Sequence, residues 1–233
     1  MKIISWNLHF DSNSEKYEHI LKMNPDILIL LECTKSAYDE KKNNWKYKNW
    51  YNDDLNSEYS DLGVSIFSNK YPIEMSDYFN RNYRYVIPYK IKCEPEFFLF
   101  VTWTKRGSKY EYSENIFKAI GDPNYREYFS NAAMLIGDFN FATTEQNNYF
   151  HKKLMSKDLI NTVSDNDIYK PTYFHNSNGK YYTNDYCFVT KTMSEKNEIE
   201  TKVLDLNKEI EGINKYENLS DHCPIIVTIK NIS

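Results

Sequence analysis

The sequence lacks an excess of basic residues. Its 29 lysines and arginines stand against 33 acidic side chains, so the formal net charge is −4 and the sequence pI is about 5.8. Bulk positive charge, of the kind that carries histone-like proteins to nucleic acids, is therefore excluded. A local basic groove stays open, because net charge does not fix where the charges lie.

Cysteine is scarce and is not arranged in close pairs. A chain of 233 residues rarely relies on a disulfide framework, and the wide cysteine spacing here, with no C-x-x-C motif, argues against a zinc cage. Two of the cysteines stand in apolar runs, which is typical of buried free thiols. The four are Cys33, Cys93, Cys187 and Cys223.

Long apolar runs, flexible linkers and internal repeats are also missing. No stretch reaches the roughly 20 apolar residues that a membrane span requires, and the first residues hold no apolar signal segment. We therefore expect a cytoplasmic protein without a membrane span. No glycine-, proline- and serine-rich stretch divides the chain, and 16% of it is aromatic, so we expect one folded domain over residues 1–233, taken to be a monomer.

Apolar patterning predicts an α/β protein. Residues 2–6 and 27–31 are short apolar runs typical of buried strands, and residues 15–23 between them have helical spacing. Strands outnumber helices along the rest of the chain, which favours two packed mixed β-sheets flanked by helices. The further predicted strands are 62–68, 83–93, 97–103, 132–136, 181–190, 202–206 and 224–229, and the further predicted helices are 112–120 and 147–156.

Polar side chains stand where several of these apolar strands begin or end. A carboxylate at the rim of a sheet is partly desolvated, and oxygen-rich sets of this kind suit Mg²⁺, which takes carboxylates together with water and phosphate oxygens. Each acid taken alone is typical of an ordinary turn residue, and only the whole set indicates a site. The set is Asn7, Glu32, Asp138, Asn140, Asp185, Asp221 and His222.

Five short motifs resemble, in their order, the endonuclease/exonuclease/phosphatase superfamily, which includes deoxyribonuclease I and exonuclease III. The resemblance spans residues 3–229 and implies a four-layer α/β sandwich that hydrolyses phosphoesters with a divalent metal. Within the superfamily the chain is similar to a short bacterial subgroup with a Trp-Thr-Lys segment, here residues 103–105. The motifs are ISWN ending at Asn7, PDILILLE ending at Glu32, GDFN ending at Asn140, NDYCF around Asp185 and SDHCP around His222.

The resemblance implies a metal site and a water-activating acid. Glu32 is the expected main ligand of Mg²⁺, with Mn²⁺ as the alternative metal, and Asn7 and Asp221 are expected beside it. Asp138 is expected to orient or deprotonate the attacking water. The metal would neutralise charge that develops on the phosphate, so the protein mainly positions the water in line with the scissile bond.

The resemblance also implies groups that contact the phosphate. Asn140 is expected to donate to the phosphate oxygens as charge builds on them. His222 is expected to contact the scissile phosphate, with its ring oriented by Asp185, because a carboxylate on one ring nitrogen fixes the direction of the other. With Asp138, these residues form the expected catalytic set.

Two residues depart from the family pattern. Trp103 stands where many relatives carry His or Tyr; indole is no acid near neutral pH, but its N–H can donate a hydrogen bond. We expect Trp103 and Lys105 to contact the substrate, together with Asn7 and with Tyr173, which is either cleft wall or substrate platform. His9 replaces an Asp found in some relatives, so it is either a substitute metal ligand or a solvent-facing loop residue.

Basic residues near aromatics are the sequence features that bear on the substrate. Residues 41–50 interleave four lysines with aromatics, which suits nucleic-acid phosphates and bases, or else a strand edge guarded by lysines. We expect a nucleic-acid substrate, DNA or RNA. A phosphatase acting on a small phosphoester or lipid headgroup, and an inactive binding protein, are the alternatives. Further basic clusters are Arg81, Arg84 and Lys90, and Lys105, Arg106 and Lys109.

Overall fold

The computed structural model describes residues 1–10, 14–52, 61–105, 112–141, 144–163, 170–175, 179–204 and 220–232. The strands are β1 (Lys2–Asn7), β2 (Ile27–Thr34), β3 (Tyr47–Tyr51), β4 (Leu62–Ser68), β5 (Ile73–Met75), β6 (Val86–Ile91), β7 (Phe97–Trp103), β8 (Ala133–Asp138), β9 (Leu159–Asn161), β10 (Tyr173–His175), β11 (Lys180–Tyr182), β12 (Asp185–Thr190), β13 (Ile199–Val203) and β14 (Ile225–Ile229). The helices are α1 (Ser14–Leu21), α2 (Lys35–Lys41), α3 (Glu114–Gly121), α4 (Arg126–Ser130), α5 (Thr144–Met155) and α6 (Lys191–Lys196), with a 3₁₀ turn at Lys42–Asn44. Within these ranges, no helix is long and apolar enough to cross a membrane.

Two sheets, each with six strands among the described residues, form the centre of the fold. The first has the order β13–β14–β1–β2–β4–β3, with β1 and β2 parallel and the other neighbours antiparallel. The second has the order β5–β6–β7–β8–β12–β9, with β7 and β8 parallel and the other neighbours antiparallel. Strands β10 and β11 form a separate hairpin. The prediction of two mixed sheets is confirmed.

Continuous apolar runs bury both faces of each sheet. Along β2, Ile27, Ile29 and Leu31 join the core between the sheets, while Leu28 and Leu30 pack beneath α1 and α2. Successive side chains of a strand point to opposite faces, so an uninterrupted apolar run leaves no face for solvent. The outer face of the second sheet packs in the same way against α3, α4 and α5. The layers are therefore helix, sheet, sheet, helix, as expected.

The strand predictions hold best where apolar runs are long. Strands β4 and β7 begin and end at the predicted residues. The predicted strand 181–190 is wrong in its middle: β11 ends before Thr183 and β12 begins at Asp185, because the intervening backbone bonds to the Thr172 hydroxyl. The apolar pattern does not predict the shorter elements, since each has only three to seven residues. These are strands β5, β9 and β10 and helices α2, α4 and α6.

The lysine-rich segment 41–50 contains β3, which lies at the edge of the first sheet. Lys48 on β3 and Lys46 just before it are exposed, which agrees with a guarded strand edge, whereas Lys41 is buried at the end of α2. A role of this edge in nucleic-acid binding stays a prediction. Arg106, Lys109 and the end of the predicted strand 202–206 lie outside the described residues.

Gly137 allows β8 to lie close to β7 immediately before the candidate site. It pairs with Thr102 across the parallel strands. Its φ is +134°, a region that side-chain-bearing residues rarely adopt, and a Cβ there would lie 2.0 Å from the Thr102 carbonyl oxygen. Glycine is therefore required at this position, which sets where Asp138 leaves the strand.

We expect Gly137→Ala to lower the free energy of unfolding by about 2–4 kcal/mol, because the new Cβ clashes with backbone and the φ is strained. Gly121→Ala is the matched control, since a Cβ at this end of α3 meets nothing within 4 Å and alanine is the better helix former. Urea denaturation followed by circular dichroism measures both variants. Equal stability of the two would contradict the close approach of β7 and β8.

Candidate active site

The ends of the two sheets meet on one side of the sandwich. Strands β1 and β2 run parallel, with Asn7 paired to Leu31, so Asn7 at the end of β1 lies beside Glu32, which β2 carries two residues before its own end at Thr34. In the second sheet, Asp138 at the end of β8 lies opposite Asp185 at the start of β12. The Asn7 amide joins the two edges: its Nδ2 donates to Glu32 Oε1 and to Asp138 Oδ2, each at 3.0 Å.

Asp138 lies at the centre of this network and is 1% exposed. In addition to the Asn7 bond, its carboxylate accepts from the Asn140 backbone N–H at 2.8 Å and from Asn140 Nδ2 at 3.0 Å. Asn140 has a positive φ of 48° and also donates from Nδ2 to the Thr104 carbonyl oxygen at 2.8 Å. Both carboxylate oxygens of Asp138 are therefore held in a fixed orientation.

His222 forms a second polar pair beside Asp138. Its Nδ1 lies 2.9 Å from Asp185 Oδ2, while its Nε2 lies 4.0 Å from Asp138 Oδ2 and 4.0 Å from Asp221 Oδ1. The Asp185 carboxylate thus fixes the ring and leaves Nε2 near the other two acids. The structure brings together the four residues expected to be catalytic, and Asn7, Glu32 and Asp221 with them.

Burial and charge shift the pKa values of Asp138 and His222. Burial raises the pKa of the Asp138 carboxyl above its ordinary value, and the positive charge of His222 opposes that shift. Burial lowers the pKa of His222, but the charges of Asp185 and Asp138 outweigh it and hold that pKa above its ordinary value. The imidazolium and the carboxylates stabilise one another in a cluster from which water is largely excluded.

The loop that carries His222 is held by two residues outside the expected site set. Trp6 Nε1 donates to the His222 carbonyl oxygen at 2.8 Å. The Ser220 hydroxyl donates to the Asn7 carbonyl oxygen at 2.7 Å and accepts from the His222 N–H at 3.1 Å. Their positions inside the ISWN and SDHCP motifs are the sequence signal for this role.

Thr172 ties the second sheet to the same loop. Its buried hydroxyl accepts from the backbone N–H groups of Asn184 and Asp185, each at 2.9 Å, and its carbonyl oxygen accepts from the Cys223 N–H at 2.7 Å. It therefore fixes both the start of β12 and the chain that follows His222. The sequence holds no separate signal for this role, since a threonine before Tyr173 also suits an ordinary strand.

Glu32 has an unpaired carboxylate oxygen that fits a divalent cation. Strand β2 bulges between Leu30 and Cys33, and Glu32 there has a φ of +54°. Its Oε2 is buried and has no hydrogen-bond partner among the described residues, and the same holds for Asp221 Oδ1. Such oxygens are costly unless a donor or cation meets them. Together with the Asn7 amide oxygen, they are the hard ligands that Mg²⁺ and Mn²⁺ take.

A second trio is also compact enough for an ion. One ligand atom each of Asp138, Asp185 and His222 lies within 4.8 Å of the others. However, Asp185 Oδ2 is paired with His222, and Asp138 accepts hydrogen bonds from two asparagines. The unpaired oxygens favour Glu32 and Asp221 over this trio as the cation's ligands.

The residues expected to contact substrate lie in different environments, since Trp103 is buried in the core and Tyr173 lies at the site. Trp103 is 3% exposed and belongs to the core between the sheets, where its ring stacks on Tyr85 with 5.1 Å between centroids. This burial gives Trp103 a packing role, and its direct contact with substrate stays a prediction. Lys105 Nζ lies 4.5 Å from the Trp103 ring centroid, at the same end of β7. Tyr173 lies at the site, with its ring 4.6 Å from that of His222.

His9 joins the edge of the site through Asp221. Its Nδ1 lies 3.0 Å from Asp221 Oδ2, and its side chain is 49% exposed. That hydrogen bond raises the pKa of His9 above its ordinary value, although burial opposes the shift. His9 is therefore more than a solvent-facing loop residue, and its place among the metal ligands stays a prediction.

Neither a protein-family model nor a curated protein sequence matches the chain, but solved structures match it. An endonuclease/exonuclease/phosphatase family protein from Leptotrichia buccalis is 18% identical, with a TM-score of 0.65 over 99% of each chain. A 3′-5′ exonuclease from Neisseria meningitidis is 16% identical, with a TM-score of 0.58 over 98% of this chain and 99% of that one. An AP endonuclease from Archaeoglobus fulgidus is 17% identical, with a TM-score of 0.64 over 99% of each chain.

These similarities establish the fold. The chain has the α/β sandwich fold of these proteins, so the fold that the resemblance in the five motifs implies is confirmed. At 16–18% identity the likeness concerns the fold alone, and the chemistry has to be argued from the site. The similarity to the Trp-Thr-Lys subgroup stays a prediction.

We expect Thr172→Val to destabilise the protein by about 2 kcal/mol or more, because two buried N–H groups lose their acceptor. Hydrogen exchange followed by NMR should also show faster exchange at Asn184 and Asp185. Thr228→Val is the matched control, since Thr228 is a partly exposed residue of β14, where valine suits the strand. Unchanged exchange at both amides in Thr172→Val would contradict the role given to the hydroxyl.

Proposed function

We propose that the chain is a single-domain, divalent-metal-dependent phosphoesterase that cuts phosphodiester bonds in DNA or RNA by in-line attack of water. The observation that carries the proposal is the junction of the two sheets, where the Asn7 amide holds Glu32 and Asp138 together beside the Asp185–His222 pair. Burying acids, amides and one histidine together costs free energy of folding. The cluster is therefore better explained by a role in phosphoryl transfer than by a contribution to stability.

The metal would be held by Glu32 and Asp221 through their unpaired oxygens, with the Asn7 amide beside them. Mg²⁺ is the expected ion and Mn²⁺ the alternative. When bound, it supplies positive charge that offsets the charge developing on the phosphate. It also offsets the repulsion among the acids of the cluster.

Asp138 would orient the attacking water and accept its proton. Its carboxylate is fixed by three hydrogen bonds from Asn7 and Asn140, so a water bonded to it has a defined position. Burial raises the pKa of Asp138, which makes its carboxylate a stronger base than an exposed one.

His222 and Asn140 would bind the phosphate. The Nδ1 of His222 is occupied by Asp185, so Nε2 is the atom left to donate to a phosphate oxygen. Asn140 Nδ2 donates to Asp138 and to the Thr104 carbonyl oxygen, and it would exchange one of these bonds for a phosphate oxygen as charge grows there. Tyr173 lies beside His222, and Lys105 lies beside Trp103 just after the end of β7. Both would extend the contacts along the substrate.

The named activities of two structural neighbours favour nucleic acid as the substrate. One is a 3′-5′ exonuclease and the other an AP endonuclease. The intact polar cluster weighs against an inactive binding protein. A phosphatase on a small phosphoester or lipid headgroup uses the same chemistry, so it is the alternative that the assay has to separate.

The decisive assay supplies Mg²⁺ or Mn²⁺ with single-stranded, duplex and abasic DNA, RNA and small phosphoesters. We expect cleavage of at least one nucleic acid and loss of activity in a chelator. We further expect Asp138→Asn and His222→Ala each to lower kcat/KM by about a thousandfold or more, since each removes a group acting on the transition state.

The controls are Asp39→Asn on α2 and His19→Ala on α1, which should stay within about twofold of wild type because both residues lie away from the cluster. Turnover of a small phosphoester alone, without cleavage of any nucleic acid, would contradict the nuclease proposal. Near-wild-type rates in both site variants would refute the assignment of the site.

We expect Glu32→Gln to weaken Mn²⁺ binding by about 10–100-fold, because an uncharged amide replaces the carboxylate oxygen left unpaired. Electron paramagnetic resonance titration of free Mn²⁺ measures this without reference to activity. Glu40→Gln is the control, since the Glu40 side chain is 65% exposed. If Asp185→Asn loses the metal while Glu32→Gln keeps it, the Asp138–Asp185–His222 trio is the metal site instead.

A further inference from the structure

Phe10 presents an exposed aromatic ring at the edge of the candidate site. The residue is 48% exposed, although the bulk of the aromatic residues in the described chain pack in the cores. The ring contacts His9 edge-on, with 5.2 Å between centroids and 81° between planes. An isolated exposed aromatic is common on protein surfaces, so exposure alone indicates no function.

Phe10 differs from an ordinary surface aromatic because two contacts connect it to the site. Its ring contacts His9, whose Nδ1 lies 3.0 Å from Asp221 Oδ2. Asp221 precedes His222 and carries an oxygen 4.0 Å from His222 Nε2. The ring is therefore connected to the site through His9 and Asp221.

The backbone at this place is strained and is held by the same residues. His9 and Phe10 have successive φ values of +49° and +61°, which non-glycine residues adopt at a cost. The His9 N–H donates to Asn7 Oδ1 at 3.0 Å, and the Leu8 N–H donates to the Leu31 carbonyl oxygen at 2.9 Å. These bonds keep β1 turning outward after Asn7, and the turn brings an apolar ring into solvent.

We propose that Phe10, backed by His9, is a subsite that stacks an unpaired nucleobase next to the phosphate being cut. The inference rests on the proposed function and narrows its substrate to single-stranded or frayed nucleic acid. A base within a duplex is already stacked on its neighbours, whereas an unpaired base gains by stacking on a protein ring. Any base has a flat face, so the subsite favours strand state over sequence.

The surroundings of the ring favour a base over a lipid tail. Its ring meets the polar imidazole of His9, which is itself bonded to Asp221. An acyl chain needs a broad apolar patch, while a base combines an apolar face with polar edges. A nucleobase also lies one sugar away from its phosphate, which suits a ring placed beside the catalytic cluster.

The test measures binding of labelled single-stranded and duplex oligonucleotides with Mg²⁺ in the Asp138→Asn background, in which the strand stays uncut. We expect Phe10→Ala to weaken single-strand binding about tenfold and duplex binding much less, and Phe10→Trp to restore it. Tyr149→Ala is the matched control: Tyr149 is 59% exposed, and its ring contacts Phe150 and Lys153 of its own helix. It should bind like the parent.

A set of single strands with one abasic nucleotide at successive positions locates the base. With Phe10 present, one position should lose affinity when its base is removed, and with Phe10→Ala that loss should disappear, because ring and base are then coupled. Equal affinities for Phe10→Ala and parent, in a wild-type protein that cleaves nucleic acid, would overturn the subsite and leave the proposed function standing. Failure of wild type to cleave any nucleic acid overturns both. Weaker binding of Phe10→Ala to phosphatidylcholine vesicles, without change on oligonucleotides, would assign the ring to a lipid surface instead.

Discussion

One amide group, Nδ2 of Asn7, hydrogen-bonds to carboxylates at the ends of both sheets. Asn7 is fully buried, and the two acids that it joins, Glu32 and Asp138, would repel each other without a donor between them. Its two N–H groups give this donor a fixed geometry. The registers of β1, β2 and β8 are thereby tied to one another at the site, and the position of Asp138 relative to Glu32 is set by the packing of the whole sandwich.

The same contact explains how charge is arranged in the cluster. Asp138, Asp185 and Asp221 lie around His222, whose raised pKa reflects the negative charges of these acids. Hydrogen bonds from Asn7 and Asn140 offset part of the remaining charge. A net charge of −4 is therefore compatible with the proposed polyanionic substrate, because the charges that would meet it are local and the proposed cation would offset them.

The acids near the strand ends could be predicted because apolar runs mark where the strands lie, and such runs are visible in the sequence. The contacts of Trp6 and Ser220, which hold the loop that carries His222, could not be predicted. Both side chains bond to backbone groups more than 200 residues away along the chain, and no local pattern encodes such a partner. Trp103 is an intermediate case. It follows Leu99 and Val101 at a spacing of two, and that alternation points to the inner face, where the structure places it.

The distinction between core residues and site residues also explains how the chain shares a fold with its structural neighbours at low sequence identity. Sheets need alternating apolar residues of suitable size, and many sequences satisfy that need. The chemistry needs a few polar residues at strand ends, held by contacts such as the Asn7 amide. In the proposed function, substrate choice would depend on other segments, such as His9–Phe10 after β1 and the β10–β11 hairpin beside His222. Because strand ends and loops are separate parts of the chain, the proposed catalytic class and the proposed substrate depend on different residues, and variants at those residues test them separately.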